Sequence, residues 1–184
     1  MRRPGPLADP ARDELDPDHI TVMFTVAHLG YADTLGIFRD VTSSFTYDMD
    51  TQELSDVQVS IQSDIMNSFH AGRDRLVKSK DFLNVSAHPQ ITFVADGGTP
   101  TSDTSGQVTG FLTILGQTMT FTLDVQLNKA AVYPFGHKRF VLGLSIDATL
   151  DRSTYGMTYG VNNGLVGDTV AVRIETETET MQRD

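Results

Sequence analysis

The fold is decided by residues 57 to 93, which read VQVSIQSDIMNSFHAGRDRLVKSKDFLNVSAHPQITF. The first six residues alternate apolar and polar side chains, the two-residue period of a strand with one buried face. Phe69, Leu76 and Leu83 then recur every seven residues, which predicts a helix with a narrow apolar stripe opposite a charged face. Pro89 cannot continue a helix, and the alternation returns after it. The segment therefore predicts a strand, a helix and a second strand.

The same alternation recurs on both sides of this segment. Joints rich in turn-forming residues separate the alternating runs. Counted together, the runs predict eight strands, at about residues 20–30, 35–47, 55–64, 90–95, 107–115, 119–127, 140–150 and 169–178. The helix falls between the third and the fourth strand.

Eight successive strands with short connections favour antiparallel neighbours, and closing the sheet into a barrel removes its exposed edges. The sequence therefore predicts an all-β fold, an eight-stranded antiparallel barrel with one helix inserted between strands 3 and 4. Such a barrel has room for side chains or for one small ligand, and the helix is placed to cap it. A two-sheet sandwich is the rival fold, because the same strand count permits it.

Length and composition limit the organisation and the partners of the chain. Its 184 residues fit one domain, predicted at residues 16–180 after a flexible, proline-rich tail at residues 1–15. A formal net charge of −10 disfavours nucleic acid or an anionic membrane as a general partner, although a local basic cluster can still act. The absence of cysteine excludes disulfides, thiolate metal sites and cysteine nucleophiles.

The compartment stays open at this stage. The chain has no run of about 18 apolar residues, so no transmembrane helix is predicted. Its first 18 residues also lack the apolar core of a secretory signal. The protein is cytoplasmic if Met1 is the natural start, and periplasmic or secreted if a signal peptide has been removed. A homodimer is compatible with the pattern, but no residue indicates one.

Four sequence segments, in order, resemble the YceI family of bacterial lipid-binding proteins, whose fold is a lipocalin-like barrel. They are HITVMFTVAHLG with GIF at residues 19–30 and 36–38, RDRL, SKDFLNV and PQITF within residues 73–93, GFLTILGQT at residues 110–118, and DRSTYGM at residues 151–157. The resemblance spans about residues 18 to 178. One departure is notable, because Arg75 and Leu76 follow Asp74 without the family's intervening histidine.

The resemblance implies an elongated barrel whose apolar lumen holds a polyisoprenoid or another long-chain amphiphile, without a cofactor and without covalent chemistry on the ligand. Each buried methylene is worth about 0.8 kcal/mol, so a long tail gains affinity without polar contacts. We assume that the side chains on the same face of the first strand as His28 point inward. The predicted lumen wall then comprises Val22, Phe24, Val26, His28, Phe38, Val59, Ile61, Ile91, Phe93, Leu112, Ile114, Phe121, Leu123, Leu142, Leu144 and Ile146.

Polar candidates for the site have simpler structural explanations. Arg152 precedes Ser153 at a strand end, and we favour bonding to neighbouring carbonyls at a corner over contact with a ligand. For His28 we favour a core histidine bonded to backbone. The cations of the helix are suited to a phosphate head group, but a solvated face paired with Asp74 and Asp81 is the preferred interpretation. These cations are Arg73, Arg75, Lys78 and Lys80.

The sequence predicts no metal site and no catalytic residue. Its five histidines show neither HxH nor HExxH spacing, and no GxSxG elbow is present. A cluster formed only in space stays possible. The leading hypothesis is a non-catalytic carrier or store for an isoprenoid lipid. Two alternatives remain, a barrel enzyme of the cyclase or isomerase type with His28 as acid or base, and a stress-related protein whose acidic exterior binds a partner.

Overall fold

The structure, a computed structural model, describes residues 12–48, 51, 53–136 and 138–180. This part of the chain contains eleven strands, one α-helix and two short 3₁₀ turns at Ser63–Ile65 and Arg152–Tyr155. The elements are β1 (Arg12–Leu15), β2 (Thr21–His28), β3 (Ala32–Phe38), β4 (Val41–Tyr47), β5 (Leu54–Gln62), α1 (Ala71–Lys78), β6 (Gln90–Gly97), β7 (Thr99–Pro100), β8 (Ser105–Ile114), β9 (Gln117–Val132), β10 (Phe140–Asp151) and β11 (Val166–Thr180).

The strands close into the predicted barrel. Hydrogen-bonded neighbours run in the order β1, β4, β5, β6, β8, β9, β10 and β11, and β11 pairs back to β1. The last residues of β11 pair with β1, whereas its earlier part, residues 166–175, pairs with β2, and β2 in turn pairs with β3. Thus β1 and β2 share one barrel position, while β3 and β4 share the next. The closed barrel of eight antiparallel positions with one helix is confirmed, and the sandwich alternative is not adopted.

The domain begins earlier than the sequence predicted. Residues 12 to 15, assigned to the flexible tail, form β1 and pair with both β11 and β4. The break between β1 and β2 contains Pro17, which has no N–H to donate to a neighbouring strand. This break hid β1, because the alternating pattern resumes only after it. The other residues of the predicted tail, 1 to 11, lie outside the described residues.

Alternation places apolar side chains in the lumen and polar ones outside. On β8, Leu112 and Ile114 are buried, whereas Phe111, the residue before Leu112, is exposed. Gly110 occupies an inward position where a Cβ would lie 2.2 Å from the carbonyl oxygen of Val94. Only glycine therefore lets β6 approach β8 this closely.

The helix is shorter than the apolar spacing suggested. It begins after His70, whose side chain accepts a hydrogen bond from the backbone N–H of Arg73, and it ends at Lys78. Leu83 is buried as predicted, but Phe69 and Leu76 are exposed, and no helix residue is fully buried. The predicted single stripe is therefore split. No helix in the described ranges is long and apolar enough to cross a membrane.

The helix belongs to a cap segment, residues 63–89, which covers one end of the barrel. Ser63 ties the two ends of this segment together, because its N–H donates to Pro89 O at 2.8 Å and its Oγ donates to His88 O at 2.9 Å. Asn67 and Ile37 exchange backbone hydrogen bonds, which attaches the cap segment to β3. We call this end of the barrel the helix end, and the opposite end, where β9 turns into β10, the hairpin end.

Candidate ligand-binding cavity

The lumen contains an apolar cavity of about 180 Å³ at the helix end. All its lining residues except Arg152 are apolar. They are Val22, Phe24, Val26, Phe38, Val59, Ile61, Val77, Phe82, Leu83, Ile91, Phe93, Leu112, Ile114, Phe121, Leu123, Leu150, Arg152, Met157, Val166, Val170, Val172 and Ile174. Strand alternation supplies most of this wall, so a hydrocarbon chain finds apolar contacts on every side.

Aromatic rings set the width of this helix-end cavity. The Phe24 ring lies over Gly36, where a Cβ would come within 2.2 Å of the ring. The centroids of Phe24 and Phe38 are 5.5 Å apart, and those of Phe93 and Phe121 are 6.4 Å apart in an edge-to-face arrangement. Glycine at position 36 thus allows Phe24 to lie flat against β3 and leaves the centre of the lumen free.

Arg152, 3% exposed, is bonded to backbone rather than free for a ligand. Its guanidinium donates to four carbonyl oxygens, two in the loop before β11 and two at the start of β11. The distances are 2.6 Å to Met157, 2.8 Å to Tyr159, 2.9 Å to Val166 and 2.8 Å to Gly167. Burial lowers the pKa of Arg152, and the charge of Asp168 opposes this. The corner interpretation of Arg152 is the one that the geometry supports.

Asp168 supports the same corner from the other side. Its carboxylate accepts hydrogen bonds from the backbone N–H of Ser153 at 2.8 Å and from Ser153 Oγ at 2.7 Å. The hydroxyl hydrogen bond is the main reason why the pKa of Asp168 is lowered, with the positive charge of Arg152 adding to it. Arg152 and Asp168 together fix the chain direction between β10 and β11.

The cap segment covers the cavity with Val77, Phe82 and Leu83. Phe82 also packs against the corner, because its ring centroid lies 5.4 Å from that of Tyr159 and 5.3 Å from the Arg152 guanidinium carbon. The end of the lumen is therefore closed by side-chain contacts between two loops, without a strand ladder.

The cations of the helix do not pair as predicted. Arg73 donates from Nε to Ser68 Oγ at 2.9 Å and also to the backbone oxygen of Ser68. Asp74 accepts from the backbone N–H and the hydroxyl of Ser68, and the hydroxyl hydrogen bond is the main reason why its pKa is lowered. Arg73 and Asp74 therefore anchor the turn before the helix, whereas Arg75 and Lys80 are exposed.

Eleven of the fifteen site residues predicted from the sequence line the helix-end cavity: Val22, Phe24, Val26, Phe38, Ile61, Phe93, Leu112, Ile114, Phe121, Leu123 and Arg152. Val59 and Ile91, also expected in the lumen wall, lie there too. The structure brings these side chains together because neighbouring strands match them in register, as with Phe93 and Leu112.

Leu142 and Leu144 lie elsewhere, in a second cavity of about 120 Å³ at the hairpin end. This hairpin-end cavity is lined by Phe45, Tyr47, Leu54, Gly98, Thr99, Pro100, Ser102, Asp103, Thr104, Ser105, Gly106, Gln107, Val108, Val125, Leu127, Leu142 and Leu144. Ile146 lines neither cavity, although its partners Ile174 and Val125 each line one of them. Leu142, Leu144 and Ile146 lie on the predicted face of their strand. Alternation identifies that face, but it does not tell how far along the barrel axis a residue lies.

The prediction that His28 belongs to the lumen wall or the core is wrong. It is the last residue of β2, pairs with Ala32 and Val166, and is exposed rather than buried. Val26 is the last residue of β2 that lines the cavity. The strand ends at His28, so this side chain lies at the rim and is neither a core histidine nor part of the lumen wall.

Several lining residues were missed. Val170, Val172 and Ile174 come from the predicted last strand, where alternation gave the signal, and Leu150 and Val166 flank the corner. Val77, Phe82, Leu83 and Met157 come from the cap and the corner, where no period marks a lumen-facing position. The missed residues are therefore mostly those whose direction depends on tertiary contacts.

A spatial cluster of titratable groups forms away from the cavities. Asp16, His19 and Glu177 each offer a ligand atom within 4.8 Å of the others. His19 Nδ1 lies 2.7 Å from Asp16 Oδ2, and this hydrogen bond is the main reason why the pKa of His19 is raised. The geometry is that of an exposed ion pair. His137, another of the histidines considered for metal binding, lies outside the described residues.

Comparison with known proteins identifies the family. A YceI-like domain model matches residues 14–178. The chain belongs to the YceI-like family. This YceI-like protein is 36% identical over 121 residues to a UPF0312 protein of Azotobacter vinelandii, a match covering 66% of this chain and 63% of that protein. It is 32% identical over 139 residues to a UPF0312 protein of Pseudomonas putida strain W619, covering 76% and 71% of the two chains.

Solved structures share the fold of this YceI-like protein. BcnA of Burkholderia cenocepacia superposes with a TM-score of 0.78 at 20% identity, covering 89% of this chain and 98% of BcnA. The Campylobacter jejuni YCEI protein gives 0.77 at 22% identity, covering 85% and 90%. A polyisoprenoid binding domain from Saccharophagus degradans gives 0.62 at 12% identity, covering 94% and 100%. At these identities the likeness establishes the barrel fold alone.

Proposed function

We propose that this YceI-like protein is a non-catalytic carrier that binds a long-chain isoprenoid, or a related amphiphilic lipid, in its barrel for transport or storage. The observation that carries the proposal is the helix-end cavity, whose lining is apolar except for Arg152. Every methylene buried there contributes about 0.8 kcal/mol, so chain length selects the ligand. The structural likeness to a polyisoprenoid binding domain supports the same class of ligand.

The absence of a suitable acid or base supports a binding role over a chemical one. Among the described residues, Arg152 is the only titratable side chain that lines the helix-end cavity. Its guanidinium stays protonated and donates to four backbone oxygens, so it neither takes up nor releases a proton at neutral pH. His28, on which the enzyme alternative depended, lies at the rim outside the lining.

Native mass spectrometry of the purified protein tests the proposal directly. We expect an added mass that is released as an amphiphile on lipid extraction. Delipidated protein should then take up isoprenoids of about C30 to C40 and unfold at a higher temperature, because a ligand at 100 times its Kd stabilises by about 2.7 kcal/mol. No bound amphiphile together with no thermal shift would overturn the proposal.

Two neighbouring substitutions on β11 locate the site. Val172 faces the cavity, whereas Ala171 next to it is exposed on the outer wall. Val172→Trp fills the lumen and should abolish lipid uptake, and Ala171→Trp adds the same ring outside and should leave uptake unchanged. Circular dichroism should show that both variants fold. Equal uptake by the two variants would exclude the lumen as the binding site.

A further inference from the structure

Two residues of the predicted apolar stripe, Phe69 and Leu76, face solvent at the helix end of the barrel. Phe69 is 69% exposed and Leu76 is 38% exposed, while the adjacent Val77 lines the cavity. Val77 of the helix thus lines the lumen, whereas Leu76 of the helix and Phe69 just before it are exposed. Burial in the barrel does not explain this pair.

Other exposed apolar side chains gather at the same end. The turn between β2 and β3 lies there, because it follows His28, which pairs with Val166 at the start of β11, next to the corner. We define the rim surface as the exposed apolar residues of this end: Leu29, Tyr31, Ile65, Phe69, Leu76 and Tyr159. Single exposed apolar residues are ordinary, but several around one opening are typical of an interaction site.

The cap segment is less acidic than the rest of the protein. Residues 63–89 contain four lysines and arginines and three acids, Asp64, Asp74 and Asp81, of which Asp64 and Asp81 are exposed. Residues 73–80 contain four of the fourteen lysines and arginines of a chain whose formal net charge is −10. Arg75 and Lys80 are exposed, and Lys78 is partly exposed. The acid within this run, Asp74, accepts hydrogen bonds from Ser68. The cap segment therefore combines exposed cations, among them Arg75 and Lys80, with exposed apolar side chains. Segments that lie in a membrane interface have this combination.

We propose that the rim surface docks on an anionic lipid bilayer, with Phe69 and Leu76 in the interfacial region and the helix cations among the lipid head groups. This inference rests on the proposed carrier function, because docking here brings the cap over the cavity against a source of ligand. Charges more than a Debye length of about 8 Å from the surface are screened at physiological salt. The acids of the barrel wall that lie beyond this distance therefore repel the bilayer only weakly.

A second surface of similar composition provides a matched comparison. Val132 and Phe135, at the tip of the β9–β10 hairpin, are 59% and 75% exposed, and Lys129 is exposed nearby. This tip lies at the opposite end of the barrel and borders no part of the helix-end cavity. Lys138 there donates from Nζ to the backbone oxygen of Pro134. We assign docking to the helix end because only that end joins exposed cations to the cover of the apolar cavity.

Co-sedimentation with sucrose-loaded vesicles tests the assignment. We expect binding to vesicles of phosphatidylcholine with roughly one third phosphatidylglycerol, weakening in 0.5 M salt, and little binding to phosphatidylcholine alone. Each cation at an anionic surface contributes about fivefold to partitioning, so Arg75→Gln with Lys80→Gln should lower it about 20-fold. Phe69→Asn with Leu76→Gln should lower it about tenfold or more. Phe69 has a φ of 64°, a conformation that asparagine adopts readily.

The matched hairpin variants are Lys129→Gln with Lys138→Gln and Val132→Gln with Phe135→Asn, and these should change partitioning less than about twofold. Equal losses from helix and hairpin variants, or equal binding to both vesicle types, would overturn the proposal. Native mass spectrometry of each variant measures the carried lipid separately. If the protein holds lipid in solution but does not bind anionic vesicles, docking alone is refuted. If it binds vesicles but takes up no lipid, the carrier function alone is refuted.

Discussion

The two ends of the barrel are closed by different interactions. At the hairpin end, backbone hydrogen bonds close it, because β1 pairs with β11 on one side and with β4 on the other. At the helix end, side chains close it, because Phe82 and Leu83 cover the cavity and one guanidinium holds the adjoining corner. Opening the hairpin end breaks a strand ladder, whereas moving the cap breaks side-chain contacts and the two backbone hydrogen bonds between Asn67 and Ile37. We therefore expect ligand exchange at the helix end.

The largest expected effect is that of Arg152→Met. The substitution leaves four carbonyl oxygens without their buried donor, so we expect a loss of about 3–5 kcal/mol in the free energy of unfolding, measured in urea. Hydrogen exchange should rise in residues 152–167 and in the cap segment but not in β1. Faster exchange at both ends would show that the two closures are coupled.

Arg173 provides the matched control for Arg152. It lies on the outer wall, where it donates to Asp147 Oδ2 at 2.5 Å and to Glu175 Oε1 at 2.6 Å, and its side chain is 42% exposed. Exposed ion pairs contribute little to stability because water and salt screen them, so Arg173→Met should be close to neutral. If both arginine variants lose equal stability, the corner role of Arg152 is wrong.

Removing β1 should disturb the opposite end. A chain that starts at Asp16 lacks the strand between β11 and β4, which exposes two edges. Relative to a chain that starts at Arg12, we expect a loss of about 3 kcal/mol and faster hydrogen exchange in β4 and in the last residues of β11. Lipid uptake in the helix-end cavity should persist. Lost uptake in a chain that still folds would contradict separate closures.

Asp168→Asn gives a smaller and pH-dependent effect at the helix end. The Ser153 hydroxyl hydrogen bond holds the pKa of Asp168 below its usual range. Its contribution is therefore fully present above the unfolded pKa of about 3.9 and is lost as pH falls through the lower folded value. We expect the variant to lose about 1–2 kcal/mol at pH 7 and to approach the parent protein in strong acid. A difference that does not change between pH 7 and pH 2 would exclude this carboxylate as the cause.

The sequence predicted the barrel wall better than its ends, for a physical reason. Alternation identifies the face of a strand, so Phe93, Leu112 and Leu123 were correctly placed in the lumen. It does not give height along the barrel, so the predicted single lumen wall included Leu144, which lines the hairpin-end cavity, and His28, which is exposed at the rim. The cap depends on tertiary contacts, since the Ser68 turn fixes the helix with Val77 inward.

His19 gives the smallest expected effect, at the seam where β1 ends and β2 begins. Asp16 raises the pKa of His19 through a hydrogen bond, and the charges of Glu177 and Asp18 raise it further. A raised folded pKa stabilises the protein below the unfolded pKa of about 6.5, and this contribution is lost as pH rises through the folded value. His19→Gln should therefore lower the melting temperature slightly at pH 5.5 and hardly at all at pH 8.5. Because the pair is exposed, 0.5 M salt should remove most of the difference. A larger effect at pH 8.5 than at pH 5.5 would contradict the ion pair, and an unchanged effect in salt would show that His19 stabilises the seam by packing.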